Sequence, residues 1–435
     1  MDADLTLEKR VMKKVMLRLL PLLILLYFFA FLDRVNVGFA ALTMNKAIGL
    51  TPYLYGWGAG IFFIGYFLFE VPSNLALSKL GARIWIARIL MTWGVLSALG
   101  AFVIGPKTFI ALRFVLGAAE AGFFPGVILY LTFWFPKRYR ARVVAYFMLA
   151  NPISTALGSL VSGALLKLDG AMGIAGWQWL FVLEGLPSIA LGFVALRFLT
   201  DRPSAARWLN DQERLWLAQR MEGEAALAPR QPGRLVDILF NRYVLIFGLI
   251  YFLIVTVNNG MVLWQPQIIR ATGIPEGWIG LVNAIPFSVG ALAMVFWGRR
   301  ADRTGGYHGH LAVACFVACA GLVLAALSPT GPWAFAGLVI AAIGGYCVLP
   351  AFWALPTSML QGTAAAAGYA FVNSLGNLGG FAGPYILGYV RSSTPSYTVG
   401  IGIFAVAALL AGLIALLISE RGARVPTGKP QRDTA

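Results

Sequence analysis

The sequence predicts an all-α membrane protein, with twelve transmembrane helices in two pseudo-symmetric six-helix bundles. Three observations carry this expectation. First, 59% of the 435 residues are hydrophobic and only 12% charged, with a mean hydropathy of +0.77, which leaves too little polar surface to coat a water-soluble globule. Second, the apolar runs are long and unalternating, as a helical span of about 20 residues requires, whereas membrane-barrel strands alternate over about 10. Third, the 34 Lys and Arg are distributed one-sidedly. Lys46, Lys107, Lys167, Arg270 and Arg391 fall in one set of loops, Arg34 and Arg113 fall within spans, and all the others lie on the side of the termini. The positive-inside rule makes that side cytoplasmic. The formal charge of +16 is thereby accounted for by topology. These basic residues are scattered, without aromatic interleaving, and give no nucleic-acid-binding signature.

Taken in order, the spans cover residues 17–41, 54–78, 84–105, 109–135, 141–167, 177–199, 243–265, 278–298, 311–328, 332–356, 363–390 and 397–418. The first follows a basic start without a small-residue cleavage site, so it is expected to stay as an anchor. The organisation is then an N-terminal six-helix bundle at 1–199, a cytoplasmic linker at 200–242, a C-terminal bundle at 243–418 and a cytoplasmic tail at 419–435. In the linker, Asn210 followed by Glu213 reads as a capping box opening a short helix, with Leu215, Trp216 and Leu217 available to lie on the membrane surface. The halves echo each other. "FWFP" (Phe133 to Pro136) ends the fourth span and "FWALP" (Phe352 to Pro356) ends the tenth, each followed by a span rich in small residues and Asn. "GRRADRTG" (Gly298 to Gly305) follows the eighth span where "NLALSKLG" (Asn74 to Gly81) follows the second. Repeats of this kind are a transporter architecture, with the substrate near the bilayer midplane between the halves. Cys315, Cys319 and Cys347 lie within spans as small apolar residues, and His308 with His310 do not make a metal site.

A charge at the centre of a membrane helix costs about 2.5 to 3.5 kcal/mol on insertion scales, so each one is a functional candidate. The first half holds Asp33 and Arg34 in its first span, Glu70 in the second, Arg113 and Glu120 in the fourth and Glu184 in the sixth. The second half holds none away from span ends. This one-sidedness predicts a site within the first half, because staples between the halves would need partners across the interface. Arg113 and Glu120 are two helical turns apart, facing one direction about 10 Å from each other. By helical depth, Asp33, Arg34 and Glu120 are expected to share one cavity. Structural ion pairing of the acids with the arginines is the competing reading, although buried pairs seldom add stability over apolar packing. Glu70 and Glu184 fit packing or gating as well as direct contact. Two guanidinium forks match carboxylate or phosphate, and carboxyls beside them exchange protons in response to anion occupancy. The pattern suits coupling of an anion to a proton.

Opposite these charges the second half offers neutral groups: Asn258 and Asn259 in "VNNGMVLWQP", Gln265, Trp353, Asn373 and Asn377. Amides serve hydroxyls as donors and acceptors, and an aromatic face covers a ring or carbon chain. A hydroxylated mono- or dicarboxylate fits this division. Asn258 and Asn259 fit helix packing equally well.

The motifs "FLDRVNVGFA", "GYFLFEVPSN", "RFVLGAAEAGFFPG", "WFPKRYRAR", "DRPSAARWL" and "FVNSLGNLGGFAGP", with "GRRADRTG", resemble those of the major facilitator superfamily and its anion:cation symporter family over essentially the whole chain. That branch includes transporters for galactonate, glucarate, tartrate, hexuronates and phthalate. The resemblance implies that Asp33 and Glu120 carry coupling protons, that Arg34 adjoins the site and that Arg113 governs anion binding. It implies substrate contacts from Tyr66 and Asn151, and from Trp353, Asn373 and Asn377 in the second half. In the G-x-x-x-D-R-x-G loop, Asp302 would brace a neighbouring helix and Arg303 would help hold an inner gate. The first-half copy departs from that pattern with Asn74, Ser78 and Lys79 in place of Gly, Asp and Arg, which leaves inner closure to Asp302 and the second half.

The expected function is secondary active transport: proton symport, in the import direction, of a small organic anion by alternating access. An exchanger of phosphate esters for phosphate and a non-transporting anion sensor remain as alternatives. An enzyme is not expected, since no Ser-His-Asp, metal or cofactor constellation occupies the spans. No cofactor is implied; the expected partners are the anion, the proton and the lipid bilayer, for a monomer in the cell (inner) membrane.

Overall fold

A computed structural model describes residues 2–226, 241–359 and 363–418, all of whose regular elements are helical. The first helix, α1 (Asp2–Ala47), is 46 residues and thus roughly 70 Å long, more than twice the about 30 Å of a hydrocarbon core. Its polar first turns therefore stand outside the membrane, where Glu8 pairs with Arg138 and Lys14 with Glu213. α2 (Pro52–Leu80) starts at a Thr51 cap that accepts from the Leu54 amide at 3.2 Å, with Pro52 pre-set for the first turn. α3 (Ala82–Leu99) follows directly.

The fourth span is two helices, α4 (Pro106–Glu120) and α5 (Phe123–Trp134), because the chain turns at Ala121 and at Gly122, whose φ of +82° suits a residue without Cβ. The fifth is likewise α6 (Lys137–Met148) and α7 (Ala150–Leu165), joined through Leu149, and the sixth is α8 (Gly176–Phe198). α9 (Asp211–Ala226) carries the anticipated capping box: the Glu213 amide donates to Asn210 Oδ1 at 2.8 Å and the Asn210 amide to Glu213 Oε2 at 3.2 Å. Its apolar residues do not all turn to the membrane, since Leu217 is fully buried in the protein. The second half comprises α10 (Arg242–Ala271), α11 (Glu276–Thr304), α12 (Tyr307–Leu327), α13 (Gly331–Met359), α14 (Thr363–Ser393) and α15 (Thr398–Leu417). Eleven segments are long and apolar enough to span among the described residues. α14 completes the twelve although it is diluted by Gly and Asn, because it lies buried against α10 and α2. The expected tail at 419–435 and part of the linker lie outside the described residues.

The pairing of helices repeats after six spans. α3 packs on α8 as α12 packs on α15; α2 on α4 as α11 on α13; α1 on α7 as α10 on α14. The contacts between halves obey the same two-fold rule, with α2 on α14 mirrored by α7 on α11. On the face opposite the termini these contacts are tight. Tyr55 donates to the Leu263 carbonyl at 2.8 Å, Arg270 to the Leu42 carbonyl at 2.6 Å and Asn283 to Ser159 Oγ at 2.8 Å. There α2 and α14 meet backbone to backbone: a Cβ on Gly56 would lie 2.4 Å from the Pro384 oxygen and 2.9 Å from Gly388 Cα.

Candidate anion site between the halves

Between the halves lies a cavity of about 190 Å³, walled by α1, α2, α4 and α7 on one side and by α10, α13 and α14 on the other. Ten of the candidate residues line it: Arg34, Tyr66, Arg113 and Asn151 from the first half, and Asn258, Asn259, Gln265, Trp353, Asn373 and Asn377 from the second.

Arg34 is the centre of its charged wall. Its Nε donates to Glu120 Oε1 at 2.8 Å, Nη2 reaches the same oxygen, and the Arg34 side chain, which lines the cavity, remains 21% exposed while Glu120 is buried. The guanidinium carbon sits 5.1, 5.5 and 5.3 Å from the ring centres of Phe31, Phe62 and Tyr66. Arg113 lies over the same Phe62 ring at 4.7 Å. Phe62 thus spaces two guanidiniums along one wall by cation–π contact. Unlike Arg34, Arg113 has no carboxylate at ion-pair distance among the described residues, and its buried Nε lacks a partner. A buried guanidinium without a counter-charge is costly, so Arg113 is a candidate partner for an anion.

Asp33 and Glu120 do not share a cavity with Arg34 as expected. Adjacent helical residues are about 100° apart, and with Arg34 facing the cavity Asp33 points into the first bundle. There Trp93 Nε1 donates to it at 2.5 Å, Ser97 Oγ at 2.8 Å and Asn36 Nδ2 at 3.1 Å. Arg113 lines both the central cavity and a small void beside Asp33, so it stands between the two. Glu120 is also absent from the cavity wall and reaches it through Arg34.

A second correction concerns partners across the halves. Glu70 is buried and accepts from Asn373 at 3.1 Å and Asn377 at 3.2 Å. The expectation that these charges form a site within the first half, without partners across the interface, therefore fails for Glu70, and each of the Asn373 and Asn377 amides already gives it one N–H. Asn258 approaches the Gly345 carbonyl at 3.5 Å, and Asn259 donates to Val255 one turn back at 3.3 Å. Gln265 is buried with its Nε2 unpartnered. Glu184 sits away from the cavity, accepting from Ser162 at 2.8 Å. Asp302 and Arg303 are exposed; Asp302 accepts from Tyr307 at 3.3 Å, and neither forms an ion pair among the described residues. The expected inner brace is not engaged in this state.

Sequence reasoning missed the aromatic lining: Tyr27, Phe31, Phe62, Phe63, Tyr251 and Tyr346. Tyr27 stacks on Phe147 at 4.4 Å and Tyr251 on Phe352 at 4.9 Å, which fixes both rings on the wall. Periodicity alone does not separate such rings from core packing. Among the described residues there is no cluster of three metal-ligating side chains, and the three cysteines are free.

The sequence profile of the Major Facilitator Superfamily matches residues 23–384. The chain belongs to that superfamily. Among its relatives is a protein of Agrobacterium vitis described as a putative tartrate transporter, 49% identical over 95% of this chain and 92% of the relative. Another, from Acinetobacter baumannii, is a quinolone resistance transporter, 38% identical over 94% of each chain. The crystal structure of a bacterial homologue of the human lysosomal transporter Spinster superposes with a TM-score of 0.74 at 18% identity, covering 92% of this chain and 95% of that one. This superfamily member is thus a multi-pass membrane transporter rather than an enzyme.

Proposed function

We propose that the protein imports a small hydroxylated carboxylate of the tartrate class together with protons. The observation that carries this is Arg34, bound to Glu120 on one side and open to the cavity on the other. A substrate carboxylate and Glu120 compete for one guanidinium. Protonation of Glu120 frees the fork for the anion, and departure of the proton reclaims it. Arg113 supplies the second positive group and relays occupancy toward Asp33, the second proposed proton site. Tyr66, Asn151, Gln265 and the amide carbonyls of the second half face the substrate's hydroxyls, and the ring of Trp353 covers its carbon skeleton.

The residues 1–199 and 243–418 then act as two bundles rocking about the cavity, with both termini cytoplasmic in the inner membrane, as a monomer. In that orientation the face closed by the Tyr55, Arg270 and Asn283 contacts is the outer one. Asp302 and Arg303 engage as the inner gate when the outer side opens. The relative described as a putative tartrate transporter supports the substrate class.

Uptake of labelled tartrate into proteoliposomes tests the reading. Accumulation that requires an inwardly directed pH gradient, competes with other hydroxy acids and disappears in Asp33→Asn supports it. Accumulation without a gradient, or obligatory exchange for internal phosphate, refutes it in favour of an exchanger.

A further inference from the structure

Two polar side chains on the second-half wall are held by a carboxyl that does not itself line the cavity. Asn373 and Asn377 are one helical turn apart on α14, so both present the same face to α2. Glu70 meets them there, accepting from Asn373 Nδ2 through Oε1 at 3.1 Å and from Asn377 Nδ2 through Oε2 at 3.2 Å. It is 7% exposed, and among the described residues no Lys, Arg or His stands at ion-pair distance from it. Both asparagines belong to the cavity lining, whereas Glu70 does not. Glycines fix the rotation of α14 at this level: a Cβ on Gly376 would overlap the Tyr251 ring and one on Gly380 the Phe63 ring. The contact decides which atom of each amide a solute meets. A carboxylate only accepts hydrogen bonds, so turning either amide would set oxygen against oxygen in a site of low dielectric. Each nitrogen is therefore kept on the Glu70 side. Each Oδ1, at the other corner of the planar group, accepts no hydrogen bond among the described residues and is left for a donor in the cavity.

We propose that Glu70 sets the preference of the site for hydroxy acids over keto acids, by holding the Asn373 and Asn377 carbonyl oxygens toward the substrate. Glu70 is a positioning residue that acts through the two asparagines and touches no substrate itself. A substrate hydroxyl donates to such an oxygen. A ketone at the same carbon sets acceptor against acceptor, and a deoxy compound leaves the oxygen unpaired. The inference rests on the hydroxylated-carboxylate reading above and deepens it.

The test is inhibition of labelled-tartrate uptake into proteoliposomes by α-hydroxyglutarate, α-ketoglutarate and glutarate, which differ at a single carbon. In wild type the hydroxy acid should inhibit at about 10-fold lower concentration than either of the others. In Glu70→Gln the new amide donates to one asparagine oxygen and turns that asparagine's nitrogen toward the cavity, so the preference over the keto acid should fall to about 2-fold or less. Glu70→Asp, which still cannot donate, should keep the wild-type preference even where uptake is slower. A merely structural role for Glu70 would weaken all three inhibitors together and leave their ratio unchanged. For a variant that folds without transporting, displacement of labelled tartrate from the purified full-length protein reads the same ratio. Equal inhibition by hydroxy and keto acids in wild type, an unchanged ratio in Glu70→Gln, or a collapsed ratio in Glu70→Asp overturns the proposal. Failure of the underlying reading is distinct: wild-type uptake of tartrate would then be absent, or insensitive to all three acids.

Discussion

Replacing Glu120 with Gln keeps the shape and acceptor that Arg34 uses but removes the charge. In the structure Arg34 Nε and Nη2 converge on Glu120 Oε1, and among the described residues no other carboxylate pairs with Arg34. Hydrogen bonds to a charged partner are worth about 1.5 to 3 kcal/mol against about 1 for neutral ones, so the anion loses a competitor worth about 0.5 to 2 kcal/mol. At 1.4 kcal/mol per factor of ten, Glu120→Gln should bind tartrate about 2- to 30-fold more tightly at neutral pH. Wild-type affinity should rise as the pH falls, because protonation releases Arg34, whereas affinity of the variant should be independent of that proton. Titration calorimetry on purified protein at two pH values measures both effects. Uptake driven by a pH gradient should be lost in the same variant while exchange of labelled for unlabelled tartrate continues. Unchanged affinity with wild-type pH dependence, or undiminished accumulation, would refute the competition argument.

The Glu70 contact predicts strong coupling: Glu70→Ala and Asn373→Ala should not add in a double-mutant cycle on the half-saturation constant, with an interaction energy of about 0.5 to 3 kcal/mol. Additive effects would mean that Asn373 serves the substrate alone. Gly56→Leu should prevent α2 and α14 from meeting, since even a Cβ lies 2.4 Å from the Pro384 oxygen. A cysteine at Val262, in a background lacking the three native ones, should then react with an impermeant maleimide from the face opposite the termini, and protection equal to the parent would count against the seal. At the linker, burial works against the charge of Glu213, but the Lys14 ammonium and the Asn210 amide outweigh it and hold the carboxyl below its ordinary value of 4.5. A depressed value stabilises the docked α9 above that ordinary range and loses the contribution as pH falls through the lowered one. Limited proteolysis should therefore release α9 more readily in acid, and Lys14→Met should move the onset toward neutral pH; an identical onset would exclude the pair as the anchor.

The spans were legible because hydrocarbon demands long apolar runs, and the capping box at Asn210 and Glu213 because its chemistry is local. The charged residues stood out for the same reason. What was not legible depends on rotation and on distant partners. Depth along the helix put Asp33 and Arg34 together, but depth carries no information about facing, and consecutive residues diverge by about 100°. Glu70 meets Asn373 across 303 positions of sequence, a pairing that no single chain reveals. The break at Ala121 and Gly122 hides in a stretch already rich in Gly and Ala, and it matters because it ends α4 at Glu120. The cavity's Tyr and Phe rings were hidden by composition, since a span full of aromatics looks the same whether it faces lipid, core or solute.

The distribution of ion pairs bears on how such a cycle can turn. Lys14–Glu213, Arg34–Glu120, Arg138–Glu8 and Arg140–Glu224 lie within the first half and its linker, Arg214–Asp211 and Arg220–Glu224 within the linker, and Arg270–Glu276 within the second half. None of them joins the first six spans to the last six. Contacts between the halves are instead hydrogen bonds to backbone carbonyls, amide contacts such as Asn283 to Ser159, and close approach of glycines. Breaking a buried ion pair by separating its members strands a charge at a cost of about 3 to 5 kcal/mol, whereas a typical hydrogen bond contributes about 0.5 to 1.5 kcal/mol net. Rocking under the proposed cycle would thus separate no oppositely charged pair among the described residues. The exception in kind is Glu70, whose carboxylate takes two amides from the other half; if it protonates as the halves part, it leaves no stranded charge. On this argument the largest electrostatic change in the proposed cycle falls on Arg34, where the anion replaces the Glu120 carboxylate as that carboxyl takes up its proton, and the rigid-body step follows with both bound or both released.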